Sequence, residues 1–259
     1  MKRVKKMIFL ESLMVALSTY SIIPMPEFKW NEKNMKYAIC FLPVVGVFCG
    51  LLIWMIGSIG TALNLSSFFV AAIATCLPVL ITGGIHMDGF MDTIDAISSH
   101  QTREKKLEIL SDPHCGAFAV LYCVIYLLAN TAFLYEIYVS GNLFVICPVY
   151  ILSRCISAFC AVNLPKARKG GMLLSYTKDA ERKTVNFSMP LVMIASIVAM
   201  LCISVICGIV AVVFGVLWTV IYCITVKKQF GGVTGDTAGF FLQMFEICSI
   251  MGVWIGELL

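Results

Sequence analysis

Charged residues are scarce in this sequence of 259 residues: only 13% are Asp, Glu, Lys or Arg, against 60% that are hydrophobic. A soluble domain carries about a quarter charged residues, so the composition excludes a soluble enzyme and a disordered chain. The 12 cysteines include no CxxC pair and lie mostly in apolar stretches. They therefore indicate packing rather than a zinc site, a redox centre or a disulfide-stapled secreted domain. No small-x-small site follows the first apolar run, so we expect no cleavable signal peptide.

The sequence contains seven long apolar runs. Most of them are long enough to cross about 30 Å of hydrocarbon. The last but one has nearly twice that length, with Gly208 close to its middle, so we expect two helices joined there by a tight turn. The sequence predicts a single integral membrane domain over 1–259, an all-α polytopic helix bundle. The runs lie near 7–25, 37–60, 66–85, 116–139, 142–163, 190–226 and 238–256.

Basic residues fall in alternate loops, the pattern in which positive loops face the cytosol. Of the 19 Lys and Arg residues, 18 lie at the N-terminus, in 27–36, in 86–115, in 166–183 or at 227–228. Basic clusters flank the first apolar run on both sides, so we expect a re-entrant or interfacial helix there. This leaves about six transmembrane helices, a cytosolic N-terminus and an outward-facing C-terminus. The net charge of +4 fits loops that face anionic lipid and does not suggest nucleic-acid binding.

The most informative stretch is acidic. Asp88, Asp92 and Asp95 are spaced i, i+4 and i+7, which places them on one face of a helix, where like charges destabilise each other. A solvated helix end is the plain interpretation, and a hard divalent cation such as Mg²⁺ is the functional one. We expect this helix to continue out of a membrane span, which would put the metal at the cytosolic membrane surface.

Two further segments favour the functional interpretation. Glu108 and Asp112 lie in the same loop as Arg103, Lys105 and Lys106, and Gly231–Thr237 presents Asp236 among glycines shortly after Lys228. Acids for a metal, bases for phosphate oxygens and glycines for close backbone approach together describe a phosphoryl-transfer site.

Arg154 and His86 are the other candidates. Arg154 is the only basic residue within an apolar run, and a charge at mid-bilayer costs about 3 kcal/mol. We therefore expect it to face the bundle interior, towards Glu136, Glu246 or a substrate phosphate. His86 is a candidate base or outer metal ligand, although a lone histidine is more often structural.

At these residues the sequence resembles the cobalamin synthases, the adenosylcobinamide-GDP ribazoletransferases. Gly83–Asp95 matches the family's G-G-x-H-x-D-G-x-x-D-T-x-D at every fixed position, and Gly231–Gly239 matches its G-G-x-T-G-D-T-x-G. Leu107–Asp112 with Gly116 is similar to L-E-I-M-x-D-x-x-x-G, and Ser153-Arg154 resembles a Ser-Arg pair of the family. Ala167-Arg168 keeps part of the family's A-R-x-x-G-L-G.

The resemblance implies the last assembly step of vitamin B12. A hydroxyl of α-ribazole, or of α-ribazole 5′-phosphate, would attack the phosphorus attached to cobinamide, expel GMP and leave a phosphodiester. Mg²⁺, as one ion or two, would serve this reaction. The expected metal ligands are Asp88, Asp92, Asp95, Asp112 and Asp236. We expect one of these acids or His86 to act as general base. The expected contacts to pyrophosphate or GMP come from Arg103, Arg154, Lys228, Gly232 and Gly235.

The resemblance also implies a multi-pass protein of the bacterial or archaeal cytoplasmic (inner) membrane, with its active site on the cytosolic side. Its partners would be the lipid bilayer, the two substrates, and other cobalamin-assembly enzymes or further copies of the chain. Two other functions stay open. A CDP-alcohol-type phosphotransferase also carries several membrane aspartates, but its D-G-x2-A-R pattern is not met after Asp88-Gly89. A cation transporter would place its acids near mid-membrane at broken helices.

Overall fold

The computed structural model describes residues 2–26, 30–168, 170, 172–178 and 180–259, and helices dominate this part of the chain. In the loops discussed above, the residues that lie outside this description include Lys29, Lys169 and Gly171. Two 3₁₀ turns, at 38–41 and 143–146, lead into the third and eighth helices. The α-helices are α1 (Lys2–Tyr20), α2 (Glu32–Met35), α3 (Leu42–Ala62), α4 (Ser67–Ile81), α5 (Ile85–Ser98), α6 (Arg103–Ile109), α7 (Ala117–Ser140), α8 (Cys147–Asn163), α9 (Met172–Lys178), α10 (Arg182–Ile203), α11 (Val205–Gln229) and α12 (Gly235–Glu257).

Six helical stretches of the described residues are long and apolar enough to cross a membrane. They are 33–62, which contains α3, then α7, 143–163, which contains α8, and finally α10, α11 and α12. The pair α4 and α5 passes the same criterion together, but it is bent by 92°. The predicted polytopic helix bundle is confirmed. Counting the bent pair as one crossing gives seven candidate spans among the described residues, one more than the predicted six.

The bend between α4 and α5 differs from the sequence expectation. We predicted that the acidic helix continues out of a span, whereas the chain turns sharply at 82–84. Gly83 has φ +62° and Gly84 has φ +77°, a left-handed conformation that glycine adopts without a steric penalty. The backbone N–H of Ile22 donates to the carbonyl of Ile81 at 2.8 Å. This bond ties the segment after α1 to the end of α4.

Helix α1 is not among the six stretches, since only Met7–Tyr20 is apolar and this segment is shorter than a span. Its Ser12 hydroxyl donates to the carbonyl of Asn34 at 2.7 Å, and the helix packs on α2, the turn at 38–41 and α3. This agrees with the prediction that the first apolar run does not cross.

The run 190–226 forms two helices as predicted, but the break is at Ser204 rather than near Gly208. Ser204 has an extended backbone, with φ −151° and ψ 117°. Gly208 lies inside the first turns of α11, where an added Cβ would lie 3.1 Å from the backbone carbon of Met200. Glycine is therefore used there for close helix packing and not for the turn.

Helix α12 is the central element of the bundle. It packs against α5, α7, α8 and α11, and much of its surface is buried. Its first turn is fixed by a capping box in which Thr234 and Thr237 each accept from the other's backbone N–H. This cap sets the positions of Gly235 and Asp236 at the end of the bundle where α5 begins.

Candidate active site

Two glycines bring the start of α12 against α5. A Cβ added at Gly89 would lie 2.7 Å from the carbonyl oxygen of Asp236, and one added at Gly239 would lie 2.8 Å from that of His86. Backbone occupies the space that any side chain would need, so only glycine allows this approach. The two motifs recognised in the sequence thus meet across one helix contact, although about 140 residues separate them.

The contact gathers carboxylates. Asp88 is exposed, while Asp92 and Asp236 are partly buried. Asp92 is close enough to Asp88, Asp236 and Asp95 to be repelled by all three charges. Among the described residues, no ion pair with a Lys, Arg or His side chain involves any of these four acids. The predicted clustering of Asp88, Asp92 and Asp236 is therefore present, with its negative charge largely uncompensated.

Asp95 has a different setting from the other acids on its helix. Its Oδ2 accepts from the backbone N–H of Gly116 at 2.6 Å, and its Oδ1 accepts from that of Ala119 at 2.8 Å. These are orphan amides in the first turn of α7, so Asp95 caps that helix from a distance in sequence. Both of its oxygens are engaged in holding α7 against α5.

Asp112 is not brought to the group. It is exposed, it accepts from the backbone N–H of His114 at 3.0 Å, and it pairs with the His114 ring at 2.6 Å. Hydrogen bonds from the backbone and ring of His114 lower the pKa of Asp112. Glu108, the other acid of that loop, pairs with Lys105 at 2.7 Å on the surface. The structure therefore gives no support to Asp112 as a ligand alongside Asp88 and Asp92.

The carboxylates at this contact can be compared with the ligands that Mg²⁺ requires. In the part of the chain that the structure describes, no three His, Cys, Asp or Glu side chains form a group that could hold an ion unaided. Mg²⁺ does not need such a group, because it keeps several waters and commonly binds one or two carboxylates together with substrate phosphates. The hard, uncompensated oxygens of Asp88, Asp92 and Asp236 fit a metal that arrives with a phosphate.

Basic side chains surround the glycine-containing loop before α12. The guanidinium of Arg103 lies against Gly231, in the space that a Cβ at this position would occupy. The charge of Arg168 acts on Asp236, and its guanidinium donates to the carbonyl of Leu107. Lys228, in the last turn of α11, is exposed. Of the predicted phosphate contacts, Arg103 thus lies directly against the loop.

Lys166 and Lys106 also lie beside this loop. Lys106 is buried and donates to Oε1 of Gln229 at 2.5 Å. The backbone of Lys166 forms an isolated β-bridge with that of Val233. The Nζ atom of Lys166 is buried without a hydrogen-bond partner among the described residues. Burial lowers the pKa of Lys166, with a smaller contribution from the charge of Arg182. An unpaired ammonium at this position favours an anion nearby.

The glycines of the loop have different roles. Gly231 has φ +74°, a value that favours glycine. Gly232 packs against backbone, since its added Cβ would lie 2.4 Å from the carbonyl oxygen of Pro165. An added Cβ at Gly235 would meet no atom within 4 Å. Packing therefore explains Gly232, whereas the space at Gly235 is open to a ligand.

Arg154 lies in the bundle interior, as predicted, and Glu246 is its partner. Its Nη1 donates to Oε1 of Glu246 at 2.5 Å and to the carbonyl of Tyr150 at 3.0 Å. Ser153 donates to the same Glu246 oxygen at 2.9 Å. Arg154 is 1% exposed. Of the three predicted partners, the structure shows Glu246. Glu136 is exposed on α7. The predicted phosphate contact of Arg154 has no structural support.

A cavity of about 210 Å³ opens beside the acids. Its walls come from α1, the segment leading into α3, α5, α8, α9 and α12. Asp88 and Asp236 lie at its polar side, and apolar side chains such as Leu173 and Leu242 form much of the rest. His86 lines it, is 5% exposed, and has an Nε2 without a hydrogen-bond partner among the described residues.

Sequence reasoning missed several of these residues. Arg168 lies in a segment that partly matches a family motif, so the sequence does carry a signal for it. Tyr20 stacks on His86, with ring centroids 6.2 Å apart, and Lys166 belongs to a loop with many bases. Neither carried a distinguishing pattern, because only the fold brings α1 and the segment 164–168 to α12.

The comparisons with known proteins agree with one another. The model of the cobalamin-5-phosphate synthase family matches residues 12–254. The chain is similar to an adenosylcobinamide-GDP ribazoletransferase of Lachnoclostridium phytofermentans, with 37% identity over 96% of this chain and 95% of that protein. It is similar to proteins of the same name in Clostridium botulinum, with 31% identity over 93% and 95% of the two chains, and in a Geobacillus species, with 29% identity over 93% and 94%. No solved structure matches this chain.

Proposed function

Because the chain belongs to the cobalamin-5-phosphate synthase family, we propose that it is an adenosylcobinamide-GDP ribazoletransferase. In this reaction a hydroxyl of α-ribazole, or of its 5′-phosphate, forms a bond to the phosphorus attached to cobinamide. The bond from that phosphorus to GMP breaks, the hydroxyl proton is lost, and GMP leaves. The product is adenosylcobalamin or its 5′-phosphate.

One observation carries the proposal: acids that have no ion-pair partner among the described residues lie with basic side chains at the start of α12. Asp88, Asp92 and Asp236 have no cationic partner within ion-pair distance in the described chain, while Arg103 lies against the neighbouring Gly231. In a purely structural cluster we would expect each carboxylate to have a cationic partner. The absence of such partners among the described residues favours a ligand that brings both a metal ion and negatively charged phosphates.

We propose that Asp88, Asp92 and Asp236 hold Mg²⁺ together with the substrate's pyrophosphate. When bound, the metal would neutralise charge on the phosphates and on the departing GMP. Arg103 and Arg168 would bind pyrophosphate oxygens, and the open space at Gly235 would let the phosphates approach the N-terminus of α12. Asp92, repelled by three carboxylates, is our choice for the group that accepts the hydroxyl proton.

We further propose that this end of the bundle faces the cytosol of a bacterial or archaeal cell. The basic residues of α6, the segment 164–168 and the end of α11 all lie at this end with Arg103. Positive loops remain on the cytosolic side during insertion, and both substrates are polar and water-soluble, with charged phosphates on adenosylcobinamide-GDP. A cytosolic site allows them to enter without crossing the membrane.

The test is GMP release by the purified protein in lipid, supplied with adenosylcobinamide-GDP, with and without acceptor and Mg²⁺. We expect release that requires all three, and a parallel series with α-ribazole and its 5′-phosphate identifies the preferred acceptor. Asp92→Asn and Asp236→Asn should each lower turnover by about 100-fold or more. Glu108→Gln is the matched control, because this surface acid pairs with Lys105 away from the site, and it should retain wild-type turnover.

Three results would contradict the proposal. Near wild-type turnover in folded, membrane-inserted Asp92→Asn and Asp236→Asn would remove the acids from the chemistry. Product from CDP-diacylglycerol and an alcohol would favour a CDP-alcohol phosphotransferase. Cation flux into proteoliposomes without any nucleotide would favour a transporter.

A further inference from the structure

The cavity beside the acids has a volume and a lining that the phosphate chemistry does not explain. A whole drug-sized ligand occupies a pocket of about 300–1,000 Å³, so about 210 Å³ is too small for a complete nucleoside or a corrin macrocycle. It is large enough for a flat two-ring heterocycle. Its apolar walls would stabilise such a ring by removing it from water.

The position of the cavity is the second observation. Asp88 and Asp236 belong to its lining, so a group held inside would have its attached sugar at the carboxylates. The acceptor nucleoside of the proposed reaction has this form: an apolar base, a sugar, and a hydroxyl that must reach the reacting phosphorus. The guanine of the other substrate would instead follow its phosphates towards Arg103.

The third observation is a polar atom without a partner. Nε2 of His86 is buried and has no hydrogen-bond partner in the described part of the chain, a situation that costs free energy unless a ligand completes it. The ring of His86 is held by stacking on Tyr20, with an angle of 26° between the planes. A benzimidazole nucleoside has one free ring nitrogen, which can accept a hydrogen bond from this atom.

From these observations, and resting on the proposed function, we propose that this cavity binds the two-ring base of the acceptor nucleoside. His86 is then a positioning residue for that base and not the proton acceptor of the reaction. The depth of the cavity decides which bases are accepted, with Ala161 of α8 among the residues at its wall.

The experiment measures kcat and KM for α-ribazole and for matched nucleosides whose base is unsubstituted benzimidazole or single-ring imidazole. Ala161→Leu fills the cavity and should lower kcat/KM for α-ribazole at least 10-fold more than for the imidazole nucleoside. Its KM for adenosylcobinamide-GDP should change less than 2-fold. Ala132→Leu, on the exposed face of α7, is the matched control and should preserve the wild-type ratio.

His86 provides an independent arm. His86→Phe keeps an aromatic ring that can stack on Tyr20 but removes Nε2. It should raise KM for α-ribazole about 10-fold, with kcat changed less than 3-fold. His86→Gln retains an amide donor and should recover part of the loss. A fall in kcat with unchanged KM would overturn the proposal and assign His86 to proton transfer.

The outcomes separate the two proposals. Normal GMP release by the wild-type protein with an unaltered base preference in Ala161→Leu contradicts only the base subsite. Absence of GMP release from the wild-type protein contradicts the proposed function itself. In that case, equilibrium binding of α-ribazole that weakens in Ala161→Leu but not in Ala132→Leu still supports the subsite, and equal binding by both variants overturns it.

Discussion

Helix α12 carries two charged groups that differ in how their charge is balanced. Deep in the bundle, Glu246 pairs with Arg154 and accepts from Ser153. At the start of the same helix, Asp236 lies with Asp88 and Asp92, and no Lys, Arg or His of the described residues pairs with them. Both groups join α12 to a neighbouring helix, α8 in the first case and α5 in the second.

The balance of charge distinguishes structural from functional residues in this bundle. A buried charge with its partner in place is satisfied within the protein, and losing either member is costly. A group of like charges without a partner lowers stability unless a ligand completes it, an arrangement typical of functional sites. The first kind should respond to substitution mainly in stability, and the second mainly in activity.

The largest effect is expected from breaking the compensated pair. Arg154→Met leaves Glu246 buried without its partner, and it should lower the free energy of unfolding by about 3–5 kcal/mol. Thermal or denaturant unfolding of the protein in lipid nanodiscs measures this loss. The double variant Arg154→Met with Glu246→Met should recover most of it, because two apolar side chains need no compensation. A double variant as unstable as the single one would contradict a simple pair.

Asp95 should give an intermediate effect, since its charge is balanced by backbone amides. Asp95→Asn keeps one acceptor oxygen, so it should lower stability by about 1–2 kcal/mol through a weakened cap on α7. The same unfolding measurement applies, with Asp112→Asn as the control, because Asp112 lies on the surface with His114. Equal stability of the two variants would exclude the capping role of Asp95.

The smallest effect has the opposite sign. Asp92→Asn relieves repulsion from Asp88, Asp95 and Asp236, so the metal-free protein should gain roughly 0.5 kcal/mol. Added Mg²⁺ with adenosylcobinamide-GDP should stabilise the wild-type protein but not the variant. Unfolding midpoints in EDTA and in Mg²⁺ plus substrate test both statements. A variant less stable than wild type in EDTA would show that Asp92 is already compensated within the protein.

Much of this arrangement could be predicted from the sequence. The spacing of Asp88 and Asp92 fixes one helix face, and hydropathy identifies the spans because about 30 Å of hydrocarbon demands long apolar runs. The glycine-flanked Asp236 was recognisable from its motif. Even the bend has a signal in the adjacent Gly83 and Gly84, because glycine adopts positive φ without a steric penalty.

Other features depend on contacts that no local pattern reveals. Asp95 matches the acidic motif as well as Asp92 does, and only the fold brings Gly116 to its carboxylate. Asp112 looked equivalent to the other acids until His114 proved to be its partner. Gly208 is a reasonable turn residue by composition, but close packing against Met200 gives it another role. For Asp95 and Gly208 the deciding partner lies on a neighbouring helix. For Asp112 it is His114, two residues further along the chain, a contact that the sequence allows but does not require.

The 92° bend has a consequence for the surrounding lipid. Helix α4 has 15 residues, which at 1.5 Å per residue span about 22 Å, less than the roughly 30 Å of a hydrocarbon core. The polar helix α5 therefore begins below the level that the longer helices reach. We therefore expect the bilayer to be thinner next to α4, which would shorten the path from the water to the aspartates.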